Sequence, residues 1–383
     1  MDTSKVDGQD LGDLPHDWDT THPAWHGGRY DQWILGKSEM TMSHFDVGDI
    51  PFHRALASAF TICDHYFCSI QGPTTPNRLY HWTGTIDPDG AAGGPATYNP
   101  ADYQSVYSWT TYPERLQAAG VSWQVYANDE VGDGSDGFVG DYGDNPLWLF
   151  QAYHDALASS DPAKRQLAER ASLRTAWKPD SGLGKNVDHV LAQFIADCAA
   201  SRLPAVSWVV APYGYSEHPS PWSRGGWVNS QVFDHTSVLR FLEAWTGVRE
   251  ENISAWRRAI CGDLTSCFDF RAPDFSVPTL PDTAALRRDA DANESKLPKP
   301  STPPLGQQVV PTQDAGSAPT RPLPYQAMAD LTVVGSDVRL DLSNAGTAAV
   351  PLAVYAHHLL SLDVTPYDVG PGASVSPTVG WTC

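Results

Sequence analysis

No apolar run in the 383-residue chain approaches the roughly 20 residues that a bilayer-spanning helix needs, so the sequence reads as that of a soluble protein. Basic residues are scarce. Lys and Arg total 25 against 45 Asp and Glu, a formal charge of −20. Such a chain lacks the cationic surface of a general nucleic-acid binder. It is also ill suited to adsorb on anionic lipid, although a zwitterionic headgroup stays open to it. The opening residues, Met1-Asp-Thr-Ser-Lys5, lack the apolar stretch of a signal peptide. What is present is apolar and aromatic. Hydrophobic residues make up 41%, with 14 Trp and 15 Tyr, which excludes global disorder and supports a sizeable core. The length suggests two domains, one large and one small.

Cysteine is sparse and its spacing is not that of a zinc knuckle. The six are Cys63, Cys68, Cys198, Cys261, Cys267 and Cys383, and none forms a C-x-x-C. Free buried thiols, a metal and a local disulfide are the three readings. The loop Cys261-Gly-Asp-Leu-Thr-Ser-Cys267 is short and contains a Gly, so in an exported protein these two ends are expected to join. Low Lys and high Trp, Gly and Pro lean towards export.

Residues 1–270 read as one α/β unit. Val121-Ser-Trp-Gln-Val-Tyr-Ala127 and Ala205-Val-Ser-Trp-Val-Val-Ala211 are strands, the second apolar enough to be buried on both faces. Helical stretches fall at 148–171, 186–201 and 236–246, the last with Val238, Leu239, Leu242 and Trp245 on one face. Alternating strands and helices imply a sheet covered on both sides. Residues 271–325 are dense in Pro, Asp and Ser and read as a linker or loosely wrapped arm. Beyond 326, Asp337–Leu342 and Val350–Val354 alternate about a turn at Asn344-Ala-Gly346, the pattern of a hairpin in a small β domain at 326–383.

The richest stretch is Gln71-Gly-Pro-Thr-Thr-Pro-Asn-Arg-Leu-Tyr-His-Trp-Thr-Gly84. Pro76 suits the first position of a helix, which puts Thr74 and Thr75 at its N-terminus. That end offers free N–H groups and a positive dipole to a phosphate. A hydroxyl there is either a nucleophile or simply a cap. His16, His22 and His26 cluster near the start, but Pro23 and Gly27-Gly28 argue against one helix presenting His22 and His26 together. His218, in Ser216-Glu-His-Pro219, follows the apolar strand, where ligand groups gather in open α/β sheets. Asp234 precedes a helix as a cap. Asn128–Gly137 is acidic, but its oxygens do not follow the EF-hand order, so it reads as a solvated loop.

Taken together, Gly72-Pro-Thr-Thr-Pro-Asn-Arg-Leu-Tyr80, Thr21-His-Pro-Ala-Trp-His-Gly-Gly28, Phe60-Thr-Ile-Cys-Asp-His-Tyr66, Leu79–Pro88, Ser216-Glu-His-Pro219, Pro221-Trp-Ser-Arg-Gly-Gly226 and Phe233-Asp-His-Thr-Ser-Val-Leu239 resemble the bacterial phosphocholine-preferring phospholipases C. These belong to a phosphoesterase family that also includes a bacterial acid phosphatase. The similarity covers roughly residues 10–270, and 326–363 resembles the family's small C-terminal β domain. The resemblance implies an alkaline-phosphatase-like fold, a divalent metal of the Ca or Mg type, and cleavage of phosphatidylcholine-like lipids on the glycerol side of the phosphate. It makes Thr74 the nucleophile and a metal ligand. His16 and His218 are expected to contact phosphate, and Asn77, Arg78 and His81 to bind substrate. Export by the twin-arginine route, to the envelope or beyond, also follows.

The chain departs from the family pattern in two places. Nothing like the metal-binding E-N-R-S-F-D-H-Y-F-G segment precedes Lys5. Glu217-His-Pro-Ser220 runs directly into Pro221-Trp-Ser, where the family inserts a helix, a strand and a Y-D-E-N-x-G-x-F-D-H segment. With both segments go the metal-binding carboxylates, unless Asp64 and Asp234 replace them. The expectation is a poor or inactive enzyme, with a remnant that only binds phosphate or phosphocholine as the alternative to a working hydrolase.

Overall fold

The computed structural model describes residues 14–45, 48–100, 106–127, 143–173, 192–211, 226–272, 276–294, 296–299, 301, 304, 306–307, 316–355 and 364–380. In chain order these form α1 (Trp18–Trp25), α2 (Trp33–Lys37), α3 (Pro51–Ala59), β1 (Ile62–Cys63), α4 (Thr74–Thr83), α5 (Tyr112–Ala118), β2 (Trp123–Tyr126), α6 (Gln151–Ala158), α7 (Pro162–Arg170) and α8 (Ala192–Ala199). They continue with β3 (Val206–Val209), β4 (Val228–Asn229), α9 (His235–Thr246), α10 (Ala255–Ile260), α11 (Thr283–Glu294), β5 (Ala327–Val334), β6 (Asp337–Asn344), β7 (Val350–Val354), β8 (Thr365–Val369), β9 (Ala373–Val375) and β10 (Thr378–Gly380). Two compact units result. The first comprises 1–67, 219–233 and 259–383, and the second 68–218 and 234–258.

In the second unit β2 and β3 pair in parallel, Trp123 opposite Val206 and Tyr126 opposite Val209. Parallel neighbours need a long crossover, here the segment that carries α6, α7 and α8. A single helix over 148–171 does not form. Pro162 lacks the N–H to continue one and instead opens α7, behind an Asp161 carboxylate that accepts from Ala163 N at 2.9 Å. Trp82, Trp123 and Trp208 meet at the centre, Trp82 stacked on Trp208 with ring centroids 5.0 Å apart. Tyr112, Leu116, Val125, Leu147, Phe150, Tyr153 and Leu239 complete this core. β3 is buried on one face only. Val206 and Trp208 are inside, while Val209 is 43% exposed. On α9, Leu239 is buried and Trp245 is exposed, so the apolar face is narrower than the sequence suggests.

In the first unit β1 pairs with β4 in parallel, and the Tyr66–Phe233 and Val228–Thr320 bridges continue that direction. The stretch 271–325 is not all irregular. It holds α11, started by Asp282 accepting from Ala284 N at 2.9 Å and braced by Arg287 on Asp291 at 2.8 Å. Its Ala, Leu and Arg residues are strong helix formers that outweigh the surrounding prolines.

The C-terminal strands are not joined as their alternation suggests. β6 pairs with β5, Val334 opposite Asp337, through the two-residue turn Gly335-Ser336. Gly335 takes a φ of 66°, which the turn requires and glycine allows. β7 pairs with β8 instead. The Asn344 side chain is buried where the expected turn lay. It donates to Ala348 O and Val369 O and accepts from Gln326 N and Gly346 N, so it leads the chain away from β6 instead of folding it back. Leu342, Val350 and Val369 form the core of these strands.

Candidate active site

Helix α4 starts at Thr74, with Pro73 as its N-cap residue. Pro76 therefore stands third in the helix, not first. The position is equally tolerant, because N–H groups of the first turn have no intrahelical acceptor. The Thr75 N–H is satisfied from outside, by Asn99 Oδ1 at 2.8 Å. At the other end Gly84 closes the helix with a φ of 74°, and a Cβ there would lie 2.7 Å from Ile253 Cγ1.

Burial divides α4 sharply. Thr75, Pro76, Asn77, Leu79, Tyr80, Trp82 and Thr83 are buried. Thr74 is exposed, and Arg78 and His81 are half-buried. Their spacing of four and then three residues places all three on one face. The buried face is fixed to the second unit's core through Trp82 and Leu79. Three of the residues expected in the site thus share one polar stripe. Asn77, three residues after Thr74, is buried and turned to the backbone instead. Its Nδ2 donates to Ile70 O at 3.2 Å, Gly72 O at 3.2 Å and Pro73 O at 3.1 Å, while Oδ1 accepts from Ile70 N at 3.2 Å. It braces the loop entering the helix.

The same loop is held from α9 and α10. Asp234 caps α9, accepting from Thr236 N at 2.9 Å and from Thr236 Oγ1 at 2.6 Å. Its second oxygen accepts from Ser69 Oγ at 2.9 Å and pairs with Arg257. Arg257 also donates to Ser69 O at 2.6 Å and lies over the Tyr80 ring, 4.1 Å from the centroid. Arg78 pairs with Asp144 at 2.6 Å, and its buried Nε–H has no protein acceptor among the described residues.

His235, the first residue of α9, was missed. Burial, opposed by Asp234 and reinforced by Arg78 and Arg257, holds its imidazole below the usual histidine range. The sequence signal is the Asp234-His235 pair at a helix start, which a capping Asp alone also explains.

The remaining expected residues are His16 and His218. His16 is exposed on the first unit, with Nδ1 2.9 Å from Leu14 O. The adjoining Pro15 O accepts from the buried Lys37 ammonium. His218 and the acidic loop 128–137 lie outside the described residues. Helix α1 does run through Pro23 and contains His22, but it ends before His26, which is its left-handed C-cap. Asp64 is engaged with Ser230 and His65, and Asp234 with its cap and Arg257, so neither stands free as a metal ligand. Among the described residues no group of three His, Cys, Asp or Glu is placed to hold a metal ion. The divalent ion implied by the resemblance thus finds no donor set there. No helix of the described residues is long and apolar enough to cross a membrane. Cys261 and Cys267 are not joined, and Cys267 faces Cys63 instead.

Two family models match the chain. The phosphoesterase family matches residues 2–220 and 220–249, and the bacterial phospholipase C C-terminal domain matches residues 319–382. The two phosphoesterase segments meet at Ser220. The chain is 36% identical to a non-hemolytic phospholipase C of Pseudomonas aeruginosa over 475 aligned residues, 97% of the chain and 64% of that protein. It is 35% identical to a non-hemolytic phospholipase C of Burkholderia pseudomallei, covering 94% of the chain and 63% of the relative. A phospholipase C B of Mycobacterium tuberculosis is 29% identical over 84% of the chain and 73% of its own length. The chain spans just under two thirds of the first two relatives.

Proposed function

Since the chain belongs to the phosphoesterase family, we propose that it is a phospholipase C-type hydrolase that cleaves phosphatidylcholine-like phosphodiesters with Thr74 as nucleophile. The observation that carries this reading is the stripe of Thr74, Arg78 and His81 on α4, the only residues of that helix not buried. A buried face held by tryptophan packing and by Asn77 leaves one polar face to act.

In this reading Thr74 Oγ gives up its proton, attacks phosphorus at the helix N-terminus and displaces the glycerol-side oxygen, which leaves protonated as the alcohol. Water then cleaves the phosphothreonine, releasing the phosphomonoester and restoring the hydroxyl. The positive dipole end favours the phosphoryl oxygens. Arg78, one turn on, adds cationic charge, and His81 lies beyond it. His235 is an imidazole kept neutral near Arg78, the protonation state a proton acceptor needs. Asn77 is a positioning residue, because its amide is spent on the backbone of 70–73. His16 and His218 remain proposed phosphate contacts. Bound cation would add charge stabilisation at the phosphoryl group, but no step is assigned to it without a donor set.

Residues 1–270 would form the catalytic domain, 271–325 a connecting arm and 326–383 the small β domain. An alkaline-phosphatase-like fold is proposed with the family; parallel pairing within β1–β4 and, separately, within β2–β3 is compatible with it. Export to the envelope or medium is proposed with the family.

Hydrolysis of p-nitrophenylphosphorylcholine with added Ca²⁺, Mg²⁺ or Zn²⁺ tests the reading, with Thr74→Ala as control. Turnover that the control abolishes supports it. Phosphocholine binding seen by calorimetry without turnover would instead identify a remnant that binds and does not cleave.

A further inference from the structure

We propose that Cys63 and Cys267 are a disulfide-forming pair, joined when the protein meets a small organic disulfide, and that Cys261 takes no part. The two sulfurs lie 3.4 Å apart, in hydrogen-bonding contact. They are brought there by the fold across 204 positions of sequence. Cys63 is on β1, directly opposite Asn229 of β4. The fully buried Asn229 amide donates to Cys267 Sγ at 3.3 Å and to Ser266 Oγ at 3.0 Å. Thr61 Oγ1 donates to Cys267 O at 3.3 Å. Both cysteines are therefore held by neighbours on the strand pair, with their sulfurs already in contact. Cys261 belongs to a separate apolar cluster, with Ile260 and Ala349.

The chemistry balances as a two-step exchange. Cys63, the more exposed of the two, attacks the S–S bond of the organic disulfide and forms a mixed disulfide, releasing one thiolate. Cys267 then attacks Cys63 Sγ and expels the second thiolate. The two cysteine protons end on the two released thiols, and the oxidant takes up the two electrons. The hydrogen bond from Cys63 and that from Asn229, together with nearby Arg321, hold the Cys267 thiol below the ordinary value against burial. Once Cys63 is in the mixed disulfide its S–H is gone, and Asn229 and Arg321 remain to favour the Cys267 thiolate for the second attack. The contact with Cys267 pushes the Cys63 thiol up, so the first exchange is the slow one.

The test uses the reduced 383-residue chain incubated with oxidised glutathione. Remaining thiols are blocked with N-ethylmaleimide, and the unreduced protein is mapped by mass spectrometry. The expected result is a Cys63–Cys267 cross-linked peptide, with labelling falling from six thiols to four. Cys261→Ser should leave the link intact and Cys267→Ser should remove it. A Cys261–Cys267 link, six thiols still labelled, or glutathione left on Cys63 without resolution would each overturn the proposal. The decisive readout is on the unmodified chain, so it does not depend on a variant folding.

Discussion

Glu250 offers a quantitative test of how the second unit is held together. Its side chain is fully buried, with Oε1 accepting from Arg115 Nε at 2.9 Å and from Asn252 N at 3.0 Å. Its other oxygen has no protein donor among the described residues. Burial outweighs the help from Asn252 and Arg115 and is reinforced by the nearby Glu243 carboxylate, raising the pKa to about 7. The folded chain therefore holds this proton more tightly than the unfolded chain, whose glutamate titrates near 4.5. The stabilising effect is complete below about pH 4.5 and is lost as pH rises through about 7. At about 1.4 kcal/mol per decade, the loss between pH 5 and pH 8 is roughly 2–3 kcal/mol. Gln resembles the protonated acid, so Glu250→Gln should remove this slope whatever it does to absolute stability. The assay is urea unfolding at pH 5, 6, 7 and 8, followed by tryptophan fluorescence, since Trp82, Trp123 and Trp208 report on the same core. Other titrating groups are common to both proteins and cancel in the difference. Parallel pH profiles for the two would refute the argument that burial governs Glu250.

Three further outcomes follow from the site. Thr74→Ala should abolish any phosphoester cleavage while leaving the denaturation midpoint within error, because Thr74 is exposed; Thr75→Ala, at a buried position, should cost about 1 kcal/mol in urea unfolding and spare turnover. Arg257→Met should cost about 3 kcal/mol by the same method, the low end for breaking a buried ion pair, because Ser69 and Thr236 still donate to Asp234; a loss below 1 kcal/mol would show the pair to be dispensable. His235 should titrate below an exposed histidine in NMR, so its contribution to stability is kept at neutral pH and lost as pH falls below about 6.5; a normal midpoint would remove it as a proton acceptor.

Much of the second unit was legible in local signals. The strand at 121–127 and the helix at 236–246 follow from β-branched runs, apolar periodicity and the Asp234 cap, and both form. What failed were long-range choices. The alternation of Asp337–Leu342 and Val350–Val354 identifies strands but does not say which strand each will join. Gly335-Ser336 was as good a hairpin signal as Asn344-Ala-Gly346, and the outcome turned on Asn344 being buried and bonded to Val369, a contact 25 residues away. The cysteines failed for the same reason. Short spacing favoured Cys261 with Cys267, but the pairing of β1 with β4 brought a cysteine from 204 positions away.

The site was legible to the extent that one helix carries it. A motif read as a string cannot separate Asn77 from Arg78, since both are polar and adjacent. Burial and bonding separate them: Arg78 stays half-buried beside Thr74 and His81, while the Asn77 amide is buried and bonded to the loop behind. From this follows a division of labour that side-chain chemistry alone would not give. Loss of the Asn77 amide should disorder the entry to α4, because three carbonyls and one N–H of residues 70–73 depend on it. Loss of the Arg78 guanidinium should leave that backbone in place and remove charge from the polar stripe. Asn77→Asp would put a carboxylate against those three carbonyl oxygens and so damage the fold before it damaged the chemistry, whereas Arg78→Lys keeps the charge and loses the fork that grips Asp144. A protein in which Arg78→Lys unfolded more readily than Asn77→Asp would contradict the division between a buried, loop-bracing Asn77 and a half-buried Arg78.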